Sequence, residues 1–232
     1  MSVFKFKKFD IIQDKSAMKV GTDGVLLGSW IDCRESNNIL DIGCGTGLIT
    51  LMLAQRNSTS NIVGIEIDKI ASIEAQLNIH NSGWGNRVSI EHISLQDFET
   101  NIKFDLIVSN PPFFPSNDSK DRRDIARRAN SLSFELLIHH AIRFLSKTGC
   151  FSVIIPKNSE YYFCEIAKKK RLFCNRICYV KGHKNAKVKR VLMQFSFSDF
   201  NIKEEGFLII EESRNKFTDQ YIQLCKEFYL GM

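Results

Sequence analysis

Apolar residues along this chain fall into two rhythms that take turns. Ile39-Leu40-Asp41-Ile42 reads as a buried strand, and Thr46 to Arg56 as the helix after it. Asn61 to Ile67 is a second strand. Ile70, Ile73 and Leu77 then form a helical stripe that stops near Gly83. Val88 to His92 and Phe104 to Ser109 are the third and fourth strands, the latter stopped by Pro111-Pro112. Phe134, Leu137, Ile138, Ala141, Ile142 and Leu145 recur at helical spacing until Gly149, and Cys150 to Ile155 is the fifth strand. Such alternation predicts βαβ units and a parallel sheet.

The rhythm then changes. Ile177 to Lys181 and Arg190 to Phe197 read as an antiparallel hairpin at a sheet edge, joined by a basic connection. Phe207 to Ile210 reads as one more strand, and Phe217, Tyr221, Leu224 and Phe228 as a helical face. At the start, Phe4-Lys5-Phe6-Lys7 suits a short strand, and Thr22 suits the N-cap of a helix through Val25, Leu26 and Leu27. The longest stretch without a period runs from Pro111 to about Ser131. It follows the fourth strand, at the carboxyl edge of the sheet where open α/β folds bind ligands.

With 232 residues the chain suits one domain. The expected parts are an extension over 1–32 that closes a cofactor site, a cofactor and acceptor half over 33–156, and a hairpin and helix over 157–232. No apolar run is long enough to span a bilayer, and the N-terminus lacks a signal-peptide core, so a cytoplasmic protein is expected. Seven cysteines without zinc-like spacing read as free thiols. His139 and His140, adjacent on a helix, do not read as metal ligands, and no metal and no obligate protein partner are expected. A net charge of +6 favours a polyanionic partner. The cations cluster at Arg122, Arg123, Arg127 and Arg128, at Lys168 to Arg171, and between Lys181 and Arg190. The middle cluster reads as a solvated face.

Asp41-Ile42-Gly43-Cys44-Gly45-Thr46-Gly47 joins the first strand to its helix. Glycines let a backbone turn sharply against a ligand. The G-x-G-x-G spacing differs from the G-x-G-x-x-G dinucleotide fingerprint and so argues against a nicotinamide-binding oxidoreductase. Glu66, at the end of the second strand, can accept hydrogen bonds from two ribose hydroxyls. Asp97, past the third strand, can accept from an adenine amino group, with Phe98 against the base. Together these residues resemble the Rossmann-like class I methyltransferases. That resemblance implies a mostly parallel, doubly wound, seven-stranded sheet with an antiparallel C-terminal hairpin and a short N-terminal extension. It also implies S-adenosylmethionine as cofactor and S-adenosylhomocysteine as product, with Asp41, Gly43, Cys44, Gly45, Glu66 and Asp97 at motif positions.

Asn110-Pro111-Pro112-Phe113 follows the fourth strand. The Asn side-chain carbonyl and the Pro111 backbone carbonyl are adjacent acceptors, suited to the two hydrogens of a planar –NH₂. The aromatic ring of Phe113 can stack on a flat group. The motif resembles the signature of amino-methyltransferases that act on nucleobases or on a protein glutamine amide. By itself it leaves base and amide open.

The run from Met18 to Trp30, the Asn-Pro-Pro-Phe-Phe run and Ser131-Leu132-Ser133-Phe134 resemble the bacterial tRNA1(Val) (adenine(37)-N6)-methyltransferases over nearly the whole chain. The implied substrate is adenosine 37, beside the anticodon of tRNA1(Val). By that likeness Lys19, Thr22 and Asp23 enclose the methionine end of the cofactor, and Asn110 adjoins it. Phe113 and Phe114 would face the base. Arg122, Arg123, Arg127 and Arg128, with Lys187 and Lys189 of the hairpin connection, would grip phosphates of the anticodon stem-loop. Phe113 stands where tyrosine is frequent, which keeps stacking but removes a phenol hydrogen bond. The alternatives are a release-factor glutamine N5-methyltransferase, which would usually bring a helical N-terminal domain, and an rRNA or DNA amino-methyltransferase.

Overall fold

The computed structural model describes residues 2–112 and 132–232. Phe113, Phe114 and the four arginines at 122, 123, 127 and 128 lie outside the described residues. The elements in the first half are β1 (Val3–Lys5), β2 (Asp10–Ile12), α1 (Thr22–Trp30), β3 (Asn38–Ile42), α2 (Leu48–Arg56), β4 (Asn61–Glu66), α3 (Lys69–Ser82), β5 (Val88–His92) and β6 (Phe104–Ser109). The second half holds α4 (Phe134–Phe144), β7 (Leu145–Pro156), α5 (Glu160–Lys169), β8 (Phe173–His183), β9 (Arg190–Ser196), β10 (Lys203–Ser213), β11 (Lys216–Phe217) and α6 (Asp219–Cys225). The main sheet has the order β11-β10-β8-β9-β7-β6-β3-β4-β5, and β1 pairs with β2 in a separate ribbon.

Strands β3 to β7 run parallel, and β9 returns antiparallel to β7. Their apolar residues face both ways, which a strand covered by helices on both faces requires. One face buries Ile39, Leu106, Val108 and Leu192 with α1, α2 and α6. The opposite face buries Leu40, Ile107, Val153 and Met193 with α4 and α5. Because strand order reverses between β3 and β6, their carboxyl ends border a crevice.

Several expectations shift. The sheet carries nine strands among the described residues: the expected strand at Phe207 to Ile210 is the longer β10, and β11 is an addition. The β8–β9 hairpin is therefore interior, because β10 pairs parallel to β8. The helix before β7 stops at Phe144 rather than at Gly149, and Leu145 already pairs with Phe104. Gly149 lies inside a bulged strand, where a Cβ would sit 2.8 Å from the Phe104 carbonyl oxygen. Thr22 is the first residue of α1, not its cap; extended Gly21 takes that position, with no side-chain cap. Phe217 belongs to β11, and only Tyr221 and Leu224 of its expected stripe lie on α6.

The stripe of Ile70, Ile73 and Leu77 is the exposed face of α3. The packed face is Ala71, Ser72, Ala75, Asn78 and Ile79. Small residues win there because α3 lies close to the glycine turn: a Cβ at Gly47 would be 3.5 Å from the Ala75 Cβ. His140 is buried beside Phe144, and desolvation lowers its pKa. All seven cysteines are free. No helix among the described residues is long and apolar enough to cross a membrane.

Candidate active site at the carboxyl edge

Strand β3 ends at Ile42, and the chain turns back beneath β4. The Gly43 and Cys44 amides both donate to the Ile65 carbonyl, at 2.9 and 3.1 Å. Gly43, Gly45 and Gly47 all have positive φ, of 72°, 58° and 84°, so this turn requires glycine three times. Gly45 then donates its amide to Glu66 Oε2 at 2.8 Å, and Asp68 donates to Glu66 Oε1 at 2.8 Å. Both carboxylate oxygens are thus fixed by the backbone, and each keeps lone-pair capacity toward the cleft.

The cleft over this turn has a volume of about 590 Å³. Its lining brings together Gly43, Cys44 and Gly45 after β3, Glu66 at the end of β4, Asn110, Pro111 and Pro112 after β6, and Lys19, Thr22 and Asp23. Asp41 lies beneath the turn, fully buried, where it accepts a 2.6 Å hydrogen bond from Thr50 Oγ1. Burial raises its pKa to about 7, against the opposing effect of the Thr50 hydrogen bond. Burial likewise raises the Cys44 thiol well above its ordinary value.

Besides Asp41, two of the residues expected at the cofactor, Asp97 and Phe98, are not among the residues lining the cleft. Asp97 is exposed and accepts from Ser94 Oγ at 2.6 Å, which makes it part of its own turn. Phe98 is buried against Phe144, with ring centroids 5.2 Å apart, because the apolar face under β6 takes it in. Leu95 and Gln96 occupy the cleft wall instead, and Ile67, just after Glu66, adds an exposed apolar side chain. Lys187 and Lys189 are exposed on the hairpin connection, outside the cleft lining.

Residues 13–20 form a strap whose Met18, Lys19 and Val20 line the cleft, held by side chains that local sequence patterns do not reveal. Glu74 of α3 accepts the Lys15 and Ser16 amides at 2.7 and 3.1 Å. Burial opposes the Glu74 charge, but these amides outweigh it and lower its pKa. Asn78 accepts the Ile12 amide at 2.8 Å and donates to the Ile12 and Thr46 carbonyls at 3.0 and 2.9 Å. Gln13 accepts the Val20 amide, and Lys19 Nζ donates to the Gln13 and Asp14 carbonyls. Asp23, in the first turn of α1, takes a 2.7 Å bond from Arg190 Nε at the start of β9.

At the acceptor end, Ser109 Oγ donates to the Ile42 carbonyl at 2.9 Å and ties β6 to β3. The next side chain is Asn110. Its Oδ1 is buried and has no hydrogen-bond partner among the described residues. A Cβ on Gly24 would lie 4.0 Å from the Asn110 Nδ2, so α1 stands close behind it. Among the described residues, no cluster of His, Cys, Asp and Glu is arranged to hold a metal ion.

Solved structures that share this sheet identify its class. A predicted O-methyltransferase from Agrobacterium tumefaciens aligns with a TM-score of 0.71 over 89% of this chain and 96% of its own, at 18% identity. The TYW2 protein of P. horikoshii, solved with MeSAdo, aligns at 0.61 over 85% of this chain and 72% of its own, at 15% identity. The fold is that of the Rossmann-like class I methyltransferases. The model of the methyltransferase small domain matches residues 16–175, and the chain belongs to that family. A relative from Flavobacterium psychrophilum is 45% identical over 99% of this chain and all of its own length; it is named a tRNA1(Val) (adenine(37)-N6)-methyltransferase. Relatives of the same name from Bacteroides fragilis and Pseudoalteromonas translucida are 44% and 41% identical, over 99% and 100% of this chain and 98% and 100% of their own.

Proposed function

We propose that this chain methylates N6 of adenosine 37 in tRNA1(Val), with S-adenosylmethionine as the methyl donor. The observation that carries the reading is the buried Asn110 Oδ1 beside Pro111, which has no partner among the described residues. A buried acceptor without a partner costs about 1–3 kcal/mol, a cost that a ligand N–H removes. The names of the full-length relatives support the choice of a tRNA adenine over an amide.

S-adenosylmethionine supplies an electrophilic methyl on a sulfonium. The residues fit it: Glu66 keeps acceptor capacity for the ribose hydroxyls, the glycine turn leaves room for close backbone approach, and Ile67 offers an apolar wall for the adenine. The strap of residues 13–20, with Thr22 and Asp23, covers the methionine end. Asn110 Oδ1 and the Pro111 carbonyl accept the two N6 hydrogens. That draws the nitrogen lone pair out of the ring and aims it along the displacement line. As positive charge develops on the nitrogen, the same two oxygens face it. Phe113 stacks on the base, and Arg122, Arg123, Arg127 and Arg128 with Lys187 and Lys189 hold phosphates. Adenosine 37 lies in a loop, so presenting it costs less than extracting a paired base. The reaction belongs to the cytoplasm, with tRNA as partner.

The test is methylation of tRNA lacking the modification, read by nucleoside mass spectrometry. N6-methyladenosine confined to tRNA1(Val) is expected. Product only in protein or rRNA would overturn the reading.

A further inference from the structure

The carboxyl edge of the sheet carries a second feature, outside the cleft. Ser109 pairs with Val153, so Ile155 is level with position 111. Ile155 pairs with Val191, Val191 with Tyr179, and Tyr179 with Phe207. Phe207 therefore stands level with the acceptor residues, four strands along the sheet. At a strand spacing of about 4.8 Å, the separation is roughly 19 Å.

The side chains on this level form a row. Lys157 Nζ lies 4.9 Å from the Tyr179 ring centroid, the Tyr179 and Phe207 rings are 6.0 Å apart, and Lys181 Nζ lies 4.4 Å from the Phe207 centroid. The row lies on the sheet face that α4 and α5 cover elsewhere. The chain leaves it open at β10, and Phe207 is 52% exposed. Tyr179 is anchored by donating its hydroxyl to Glu160 Oε1 at 3.1 Å. Lys184, Lys187 and Lys189 extend the row along the hairpin connection. The carboxylates on or beside it are Glu160, Glu204 and Glu211, so the five lysines outnumber them.

We propose that the Lys157–Tyr179–Phe207–Lys181 row is a platform for single-stranded RNA, on which an unpaired base of the substrate loop stacks against Phe207. This rests on the tRNA reading above and deepens it. An exposed aromatic ring, backed by a half-buried one and flanked by cations, suits a strand with a planar base and a phosphate at every step. Lys181 leaves the ring for a phosphate when the base arrives, which its flexible stem allows. The separation from Asn110 sets the contact a few nucleotides from the methylated adenosine.

The experiment measures binding of the tRNA1(Val) anticodon stem-loop to the full-length protein by fluorescence anisotropy, with steady-state methylation alongside. Phe207→Ala should weaken binding by about 5- to 100-fold, as loss of one stacked base does. Phe207→Trp should restore it. S-adenosylmethionine affinity, read by calorimetry, should stay within twofold and report an intact fold. Phe200→Ala, at an exposed phenylalanine off the row, should leave binding unchanged. If the wild type binds and methylates the RNA while Phe207→Ala binds as well as it does, the platform is refuted and the proposed function stands. If Phe207→Ala instead abolishes self-association in light scattering, with RNA binding unaltered, the face serves a second copy of this chain and the platform is again refuted. If the wild type neither binds nor methylates the stem-loop, both readings fall.

Discussion

The two ends of the cleft handle their polar groups in opposite ways. At the Glu66 end, both carboxylate oxygens already accept backbone amides, and Glu74, Asn78 and Gln13 hold the segment before α1. At the Asn110 end, Oδ1 is buried and has no partner among the described residues. A satisfied end is shaped before its ligand arrives. An unsatisfied end gains most when a donor comes. Damage at the first end should therefore fall on cofactor affinity, and damage at the second on turnover.

Asn110→Ala gives the sharpest break. Turnover should fall by about 10²–10³-fold, the scale for losing one positioned hydrogen-bonding group at a reacting centre. Cofactor affinity by calorimetry should stay within threefold; an equal loss in both would erase the contrast between the ends. Glu66→Ala should do the reverse, weakening S-adenosylmethionine binding by about 10- to 100-fold while turnover at saturating cofactor stays within a few-fold. Glu74→Ala frees two strap amides and should raise the cofactor KM by about 3- to 10-fold. Proteolysis between residues 13 and 20 should accelerate with it.

The smallest effect concerns Asp41. Its folded pKa, about 7, lies above the unfolded value, so the native state holds a proton that the unfolded chain has released. Its contribution is complete below the unfolded pKa and is lost as pH rises through about 7. The melting temperature should thus decline by a few degrees between pH 5 and 8, and Asp41→Asn should flatten the decline. An unaltered slope in the variant would assign the pH dependence to other groups.

What could be read from the chain was written in consecutive residues. The glycine turn and Asn110-Pro111-Pro112 are local, and each forces its own conformation. The strap was hidden because its anchors, Glu74 and Asn78, lie 58 to 66 residues from the groups they hold. The surroundings of Phe98 and Asp97 were not legible because an aromatic and an acid after a strand look the same whether they face a ligand, a core or their own turn. The α3 stripe misled because packing beside Gly47 favoured alanine over isoleucine. The place of β10 was illegible because parallel pairing with β8 leaves no turn signature.

The strap also sets an order of events during synthesis. Residues 13–20 leave the ribosome long before the helix that carries Glu74 and Asn78, which ends at Ser82. At elongation rates of about 5–20 residues per second, the wait is on the order of 3–12 s. Throughout that interval the segment proposed to cover the methyl donor lacks the Glu74 carboxylate that later holds it. The nascent chain is then open to proteases and chaperones at a segment that side chains of α3 tether in the folded protein.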